Sequence, residues 1–150
     1  MASRGDLVGI TKARLKTVDI LSSGNDWDVA AYIMGYALET ALKAATCRTL
    51  HVDQYPDVKS YKNEKIGNYF MTHNFDMLLL VSGLSDIFSV DGIQDAFQNW
   101  SDFTQEYSGE WTSMRYFSGK FNKSSVERLQ DALYKDSGSI IKTIGRHKRW

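Results

Sequence analysis

Two charged residues, Glu39 and Lys43, interrupt the longest apolar region of the chain and are the first candidates for chemistry. A spacing of four residues places both side chains on one face of a helix, one turn apart. Such a pair can be an ordinary ion pair that stabilises the helix by roughly 0.2–0.5 kcal/mol. On an otherwise apolar helix it can also form a polar strip at one end of a ligand pocket. The sequence leaves both interpretations open.

His73 and the dipeptide Arg115-Tyr116 are the second set of candidates. A histidine at the start of a helix usually caps the helix or satisfies a loop carbonyl, and it can also transfer protons near neutral pH. Arg115 lies in an aromatic segment, where its guanidinium can bind a phosphate, stack on Trp111 or pair with Glu39 inside the protein.

The C-terminal segment supplies a third set, a small basic cluster with no acidic residue after Asp136. Its candidate nucleic-acid ligands are Arg146, Lys148 and Arg149. Cations at the end of a helix usually interact with the helix dipole and with solvent. They can also contact phosphates weakly, and the terminal Trp150 is then available to stack on a base.

Several classes of function are disfavoured by composition. The chain has 18 basic and 18 acidic residues, so its net charge indicates neither nucleic acid nor membrane. Its single cysteine, Cys47, excludes an intrachain disulfide and fits a reducing compartment. We find no phosphate-binding glycine loop and no metal-ligand spacing, and therefore expect no cofactor and no metal. We also expect a cytoplasmic protein without a membrane segment.

The elements that must position these residues are predicted to be helical. The stretch from Asp26 to Leu50 has no proline and is rich in alanine and leucine, which predicts a long central helix. A short turn should pair it with the preceding helix as a hairpin. Further helices are predicted over 6–22, 64–70, 75–82, 91–107 and 124–144. Thr72 is the expected cap of the helix over 75–82, and Ser124 and Glu127 form a capping-box pattern at the start of the last helix. Gly138 is expected to bend or split that last helix, and 110–122 is predicted to be an irregular linker.

Three segments in order, AAYIMGYALETALKA, THNFDMLLLVSG and MRYFSG, resemble the HEPN domain family. The resemblance implies an all-α domain spanning 1–150, built as a four- to five-helix up-and-down bundle. It further implies a homodimer that binds nucleotide or RNA, often beside a nucleotidyltransferase partner in a toxin-antitoxin or defence module. The ligand-binding positions carried over from these motifs are Glu39, Lys43, His73, Arg115 and Tyr116. We predict that the four charged members, Glu39, Lys43, His73 and Arg115, come together in space.

The chain departs from the ribonuclease branch of that family, which carries an arginine, four to six intervening residues and a histidine. After Arg115 those positions hold Lys120, Phe121 and Asn122. A histidine is hard to replace as a general acid or base at neutral pH, so we do not expect the standard ribonuclease activity. Two alternatives remain: a non-catalytic protein-protein interaction module, and an RNase with a rearranged active site that uses Arg115 and His73.

Overall fold

The protein is all-helical over the residues that the computed structural model describes, which are 2–57, 64–107 and 111–150. Seven α-helices occur in these ranges: α1 (Arg4–Ser23), α2 (Trp27–Leu50), α3 (Glu64–Phe70), α4 (Phe75–Ser82), α5 (Gln94–Thr104), α6 (Lys123–Gln130) and α7 (Ile140–Lys148). A 3₁₀ helix covers Trp111–Tyr116, and a π-helical turn, Asp131–Lys135, continues α6. The same ranges contain no β-strand, only an isolated bridge between Ser3 and Gln54. The predicted all-α class is confirmed.

α1 and α2 form the predicted hairpin. Ser3 and Asp6 make a reciprocal capping box at the start of α1, which satisfies two backbone N–H groups that have no partner within the helix. The two helices then pack along their length, and the hydroxyls of Thr11 and Thr40 meet at 2.8 Å between them. The short connection from Ser23 to Trp27 favours this antiparallel arrangement.

α2 is the central helix, as predicted, and 14 of its 24 residues are buried. It packs against α1, α4, α6, α7 and the 3₁₀ helix. Small side chains allow this close approach from several sides. The buried ones are Ala30, Ala31, Gly35, Ala37, Ala41, Ala44 and Ala45.

Two predicted helix caps are wrong. Asn74, not Thr72, caps α4: its side-chain oxygen accepts from the Met77 N–H at 3.0 Å, while the Thr72 hydroxyl accepts from the Asn74 N–H one step earlier. At α6 the reciprocal box joins Asn122 and Ser125 rather than Ser124 and Glu127. Asparagine caps at least as well as serine, so the helix begins earlier than the S-x-x-E pattern indicates.

The expected number of helices, four to five, is smaller than the seven found in the described ranges. Several of the seven helices are short. The predicted last helix is split, as Gly138 suggested: the π-helical turn ends at Lys135 and α7 begins at Ile140. A Cβ on Gly138 would come within 2.9 Å of the Asp95 Cβ, so the residue allows α5 to lie close to this break. The expected linker also contains the 3₁₀ helix, and its first residue, Glu110, lies outside the described ranges. None of the helices within those ranges is both long and apolar enough to cross a membrane.

Candidate functional site

A buried carboxylate, that of Glu39, is the centre of the candidate site. Its side chain is 5% exposed and accepts three hydrogen bonds. Lys43 Nζ donates to Oε1 at 2.6 Å. Trp111 Nε1 donates to Oε2 at 2.8 Å, and His73 Nδ1 lies 2.8 Å from the same oxygen. Buried charges are stable only when they are paired and hydrogen-bonded, and this carboxylate is both.

Three separate parts of the chain position these donors. α2 carries Glu39 and Lys43 one turn apart, so their pairing follows from the helix itself. His73 precedes the cap of α4, a helix that packs against α2. Trp111 opens the 3₁₀ helix and is 72 residues away from Glu39 in sequence. The site therefore exists only when α4 and the 3₁₀ helix have docked on α2.

The Trp111 indole is held in place by close packing on α2. A Cβ at Gly35 would lie 2.9 Å from Trp111 Cε3, so only glycine leaves room for the ring. The rings of Tyr32 and Tyr36 pack beside it, with centroids at 5.1 and 6.2 Å. The His73 ring meets it edge-on at 6.1 Å. This packing fixes the direction of the indole N–H toward Glu39.

The hydrogen bond to Glu39 determines where His73 carries its hydrogen. An ionised carboxylate can only accept, so the imidazole hydrogen lies on Nδ1. In the neutral ring the lone pair is then on Nε2, which makes no hydrogen bond to any residue in the described ranges. The His73 side chain is 49% exposed, whereas that of Lys43 is 20% exposed. The site thus presents part of the His73 side chain and part of the Lys43 side chain at the surface.

Tyr55 closes the site on the side of Lys43. The ammonium nitrogen lies 5.3 Å from the centre of the tyrosine ring, and the Tyr55 hydroxyl donates to the Phe70 carbonyl at 2.8 Å. Burial, then the charge of Glu39 and then Cys47 raise the pKa of Tyr55 above its ordinary value. Tyr55 therefore stays neutral and serves as a packing surface for the cation.

Arg115 does not join the Glu39 cluster. The prediction that all four charged residues come together is therefore wrong for Arg115. Its guanidinium lies over the Tyr116 ring at 5.2 Å, and both side chains are exposed. A 3₁₀ helix has three residues per turn, so Trp111 and Met114 share the buried face and Arg115 points elsewhere. The donor that reaches Glu39 from this segment is Trp111, which the sequence suggested only as a stacking partner. A buried indole N–H needs an acceptor, and this requirement is the sequence feature that could have indicated a contact between Trp111 and Glu39.

The basic C-terminal residues make contacts mainly within the protein. Arg146 donates to the Ser137 carbonyl at 2.9 Å, and Lys148 donates to the Thr49 hydroxyl at 2.7 Å. Burial lowers the pKa of Lys148 below its ordinary value. Arg149 ends α7 in the left-handed conformation and is exposed. Trp150 packs against Gly145 and both core clusters rather than standing free for a base.

Comparison of the chain with protein-family models, with curated proteins and with solved structures finds no match. Across the part of the chain that the structure describes, no three His, Cys, Asp or Glu residues are grouped so as to hold a metal ion. What the site offers chemically is an oriented imidazole and an ammonium group, packed on the buried rings of Trp111 and Tyr55.

Proposed function

We propose that this protein is a HEPN-like helical domain that binds a nucleotide or RNA at the face around Glu39. The observation that carries the proposal is that the buried Glu39 carboxylate holds Lys43 and His73 at the surface beside aromatic rings. The resemblance in motif order adds the rest of the proposal. It comprises an up-and-down bundle, a cytoplasmic homodimer and a nucleotidyltransferase partner in a toxin-antitoxin or defence module.

The chemistry of the face suits a nucleotide because it combines cations with rings. Phosphate oxygens are bound by ammonium, imidazolium and guanidinium groups, and bases stack on aromatic side chains. Tyr116 is 79% exposed with Arg115 over its ring, on the same 3₁₀ helix as Trp111. The Asp28 carboxylate on α2 accepts the N–H groups of Gly119 and Phe121, which ties the segment after this helix to the bundle.

A binding titration tests the proposal. We expect labelled single-stranded RNA or ATP to bind the whole protein, and Lys43→Gln and Arg115→Gln each to weaken binding about tenfold. Each lost phosphate contact should also reduce the salt dependence of binding by about one counterion. Lys123→Gln is the matched control, because Lys123 is a 73% exposed lysine on α6. Equal affinities for all four proteins, or no binding at low salt, would contradict the proposal.

An interaction module is the second candidate, and the exposed rings after Trp111 favour it. Tyr116 is 79% and Phe117 44% exposed, and aromatic residues are enriched in protein interfaces. In that case Tyr116→Ala abolishes binding to a protein partner while RNA and nucleotide titrations stay flat. The rearranged RNase, with His73 and Arg115 as its reactive groups, requires metal-independent RNA cleavage that disappears in His73→Ala.

A further inference from the structure

The three histidines of the chain have different surroundings, although all three are exposed. His73 is the one paired with a carboxylate. His51 ends α2 in the left-handed conformation, and His147 lies in the last turn of α7. Neither of these two has an ion pair with a residue in the described ranges. The chain therefore contains two internal controls for any chemistry of His73.

The Glu39 contact prepares His73 to act as a nucleophile. It keeps the hydrogen on Nδ1, so the lone pair of the neutral ring is on Nε2, the nitrogen that does not contact Glu39, in a side chain that is 49% exposed. When Nε2 forms a new bond the ring becomes positively charged, and the carboxylate 2.8 Å from Nδ1 stabilises that charge. Glu39 is itself fixed by Trp111 and Lys43, so it does not have to reorganise.

The charges next to the imidazole permit a substrate that carries negative charge, because Lys43 offsets the charge of Glu39. Lys43 is bound to the other oxygen of the same carboxylate and is partly exposed. α4 begins at Phe75, two residues after His73, and the N-terminal end of a helix dipole is positive. A phosphoryl group has the charge and the tetrahedral oxygens that such surroundings stabilise.

We propose that His73 is a phosphorylation site whose Nε2 accepts a phosphoryl group from a phosphoramidate donor. This donor class includes free phosphoramidate and the phosphohistidine of another protein. The proposal goes beyond nucleotide or RNA binding and requires only the arrangement of Glu39, Lys43 and His73.

The transfer is a displacement at phosphorus that needs no oxidant or reductant. The Nε2 lone pair forms the new N–P bond while the P–N bond of the donor breaks. The donor reacts in the form whose leaving nitrogen is already protonated, and this nitrogen takes the bonding pair; from N-protonated free phosphoramidate it departs as ammonia. The hydrogen on Nδ1 of His73 remains in the hydrogen bond to Glu39, and the product is a phosphoryl-imidazolium beside a carboxylate.

Labelling the whole protein with potassium phosphoramidate, without nucleotide or RNA, tests the proposal. Peptide mapping by mass spectrometry at neutral pH follows the three histidines separately. We expect His73 to be phosphorylated about tenfold faster than His51 and His147. Glu39→Gln should reduce the His73 rate to that of the other two, and His73→Gln should remove the fast phase.

The comparison within the wild-type protein decides the matter even if Glu39→Gln does not fold. Equal rates at the three histidines would overturn the proposal. So would an unchanged His73 rate in a Glu39→Gln variant that circular dichroism shows to be folded. Because no nucleotide or RNA is present, failed ligand binding and failed labelling are separate results, and either can occur without the other.

Discussion

Basic side chains gather at two places in this molecule, around Glu39 and at the end of α7, and different groups hold them. Lys43 and His73 contact a buried carboxylate. Arg146 and Lys148 instead donate to a carbonyl and a hydroxyl, both neutral acceptors. The Glu39 carboxylate is 5% exposed, and removing one partner of a buried ion pair is costly because the other charge is left without compensation. We therefore expect the Glu39 site to contribute to stability and orientation, and the α7 end to contribute little.

The two places also differ in how many parts of the chain they join. At the α7 end, Arg146 bonds to residues of its own segment, Ser137 and Thr143, and Lys148 reaches one other helix, at Thr49 of α2. The Glu39 carboxylate draws donors from α2, from the residue before the α4 cap and from the 3₁₀ helix. Contacts within one segment can form in an isolated peptide, whereas the contacts of the Glu39 carboxylate require the whole fold. The comparison teaches that a cluster of charge in the sequence is weaker evidence for a site than convergence in space.

The largest expected effect is that of Glu39→Ala. It leaves the buried Trp111 N–H without its acceptor and Lys43 without its counterion, which should cost about 3 kcal/mol of unfolding free energy. For a chain of this length that corresponds to a melting temperature lower by about 6–12 °C. Thermal denaturation followed by circular dichroism measures it.

Glu127→Ala is the control for that measurement. Glu127 is 56% exposed and 3.9 Å from Lys123 across one helix turn. Exposed pairs contribute little, so its unfolding free energy should change by less than about 0.5 kcal/mol. If the two variants melt alike, the Glu39 site is not the stabilising one and the comparison fails.

An intermediate effect is expected for Gly35→Ala. The added methyl group would lie 2.9 Å from Trp111 and push the indole away from Glu39. Overpacking costs about 1–3 kcal/mol, and the better helix propensity of alanine returns about 1 kcal/mol. We expect a net loss of about 1 kcal/mol in urea unfolding, together with altered tryptophan fluorescence.

Gly9→Ala on α1 is the matched control, because a Cβ there meets no atom within 4 Å apart from its chain neighbours and the backbone of its own helix. It should raise stability by about 0.5–1 kcal/mol. A Gly35→Ala protein that gains stability as Gly9→Ala does would show that the Trp111 position is not restricted by packing.

The smallest effect on stability is expected at the end of α7, for Lys148→Met. The change removes a hydrogen bond to Thr49 and also removes a charged group whose pKa burial lowers. A lysine pKa that is lower in the folded state means that the unfolded chain binds this proton more tightly. The charge therefore disfavours folding at neutral pH, and this cost disappears as the pH rises through the folded-state pKa toward 10.5.

Urea unfolding at pH 7 and near pH 10 measures this effect. At pH 7 the variant should lie within about 0.5 kcal/mol of the wild type. At the higher pH the unfolding free energy of the wild type should rise relative to that of the variant. A large loss of stability at pH 7 would show that the α7 end is as important structurally as the Glu39 site.

Much of the helical structure was predictable because it depends on neighbours in sequence. The absence of proline and the many alanines of α2 favour a helix wherever that segment lies. Gly83 ends α4 in the left-handed conformation, as its position after an apolar run predicted. The exact caps were less predictable, since asparagine, serine and threonine compete for the same role within a few residues. That competition explains why Asn74 and Asn122 were missed.

The pairing of Glu39 with Lys43 was determined by the sequence alone, because residues four apart on a helix are always neighbours. The contacts of His73 and Trp111 with Glu39 were decided by tertiary structure, because they depend on how α4 and the 3₁₀ helix dock on α2. The same docking turned Arg115 outward, over Tyr116. The physical reason is that helix geometry fixes neighbours within one turn, whereas packing around Gly35 selects which distant donor reaches a buried carboxylate.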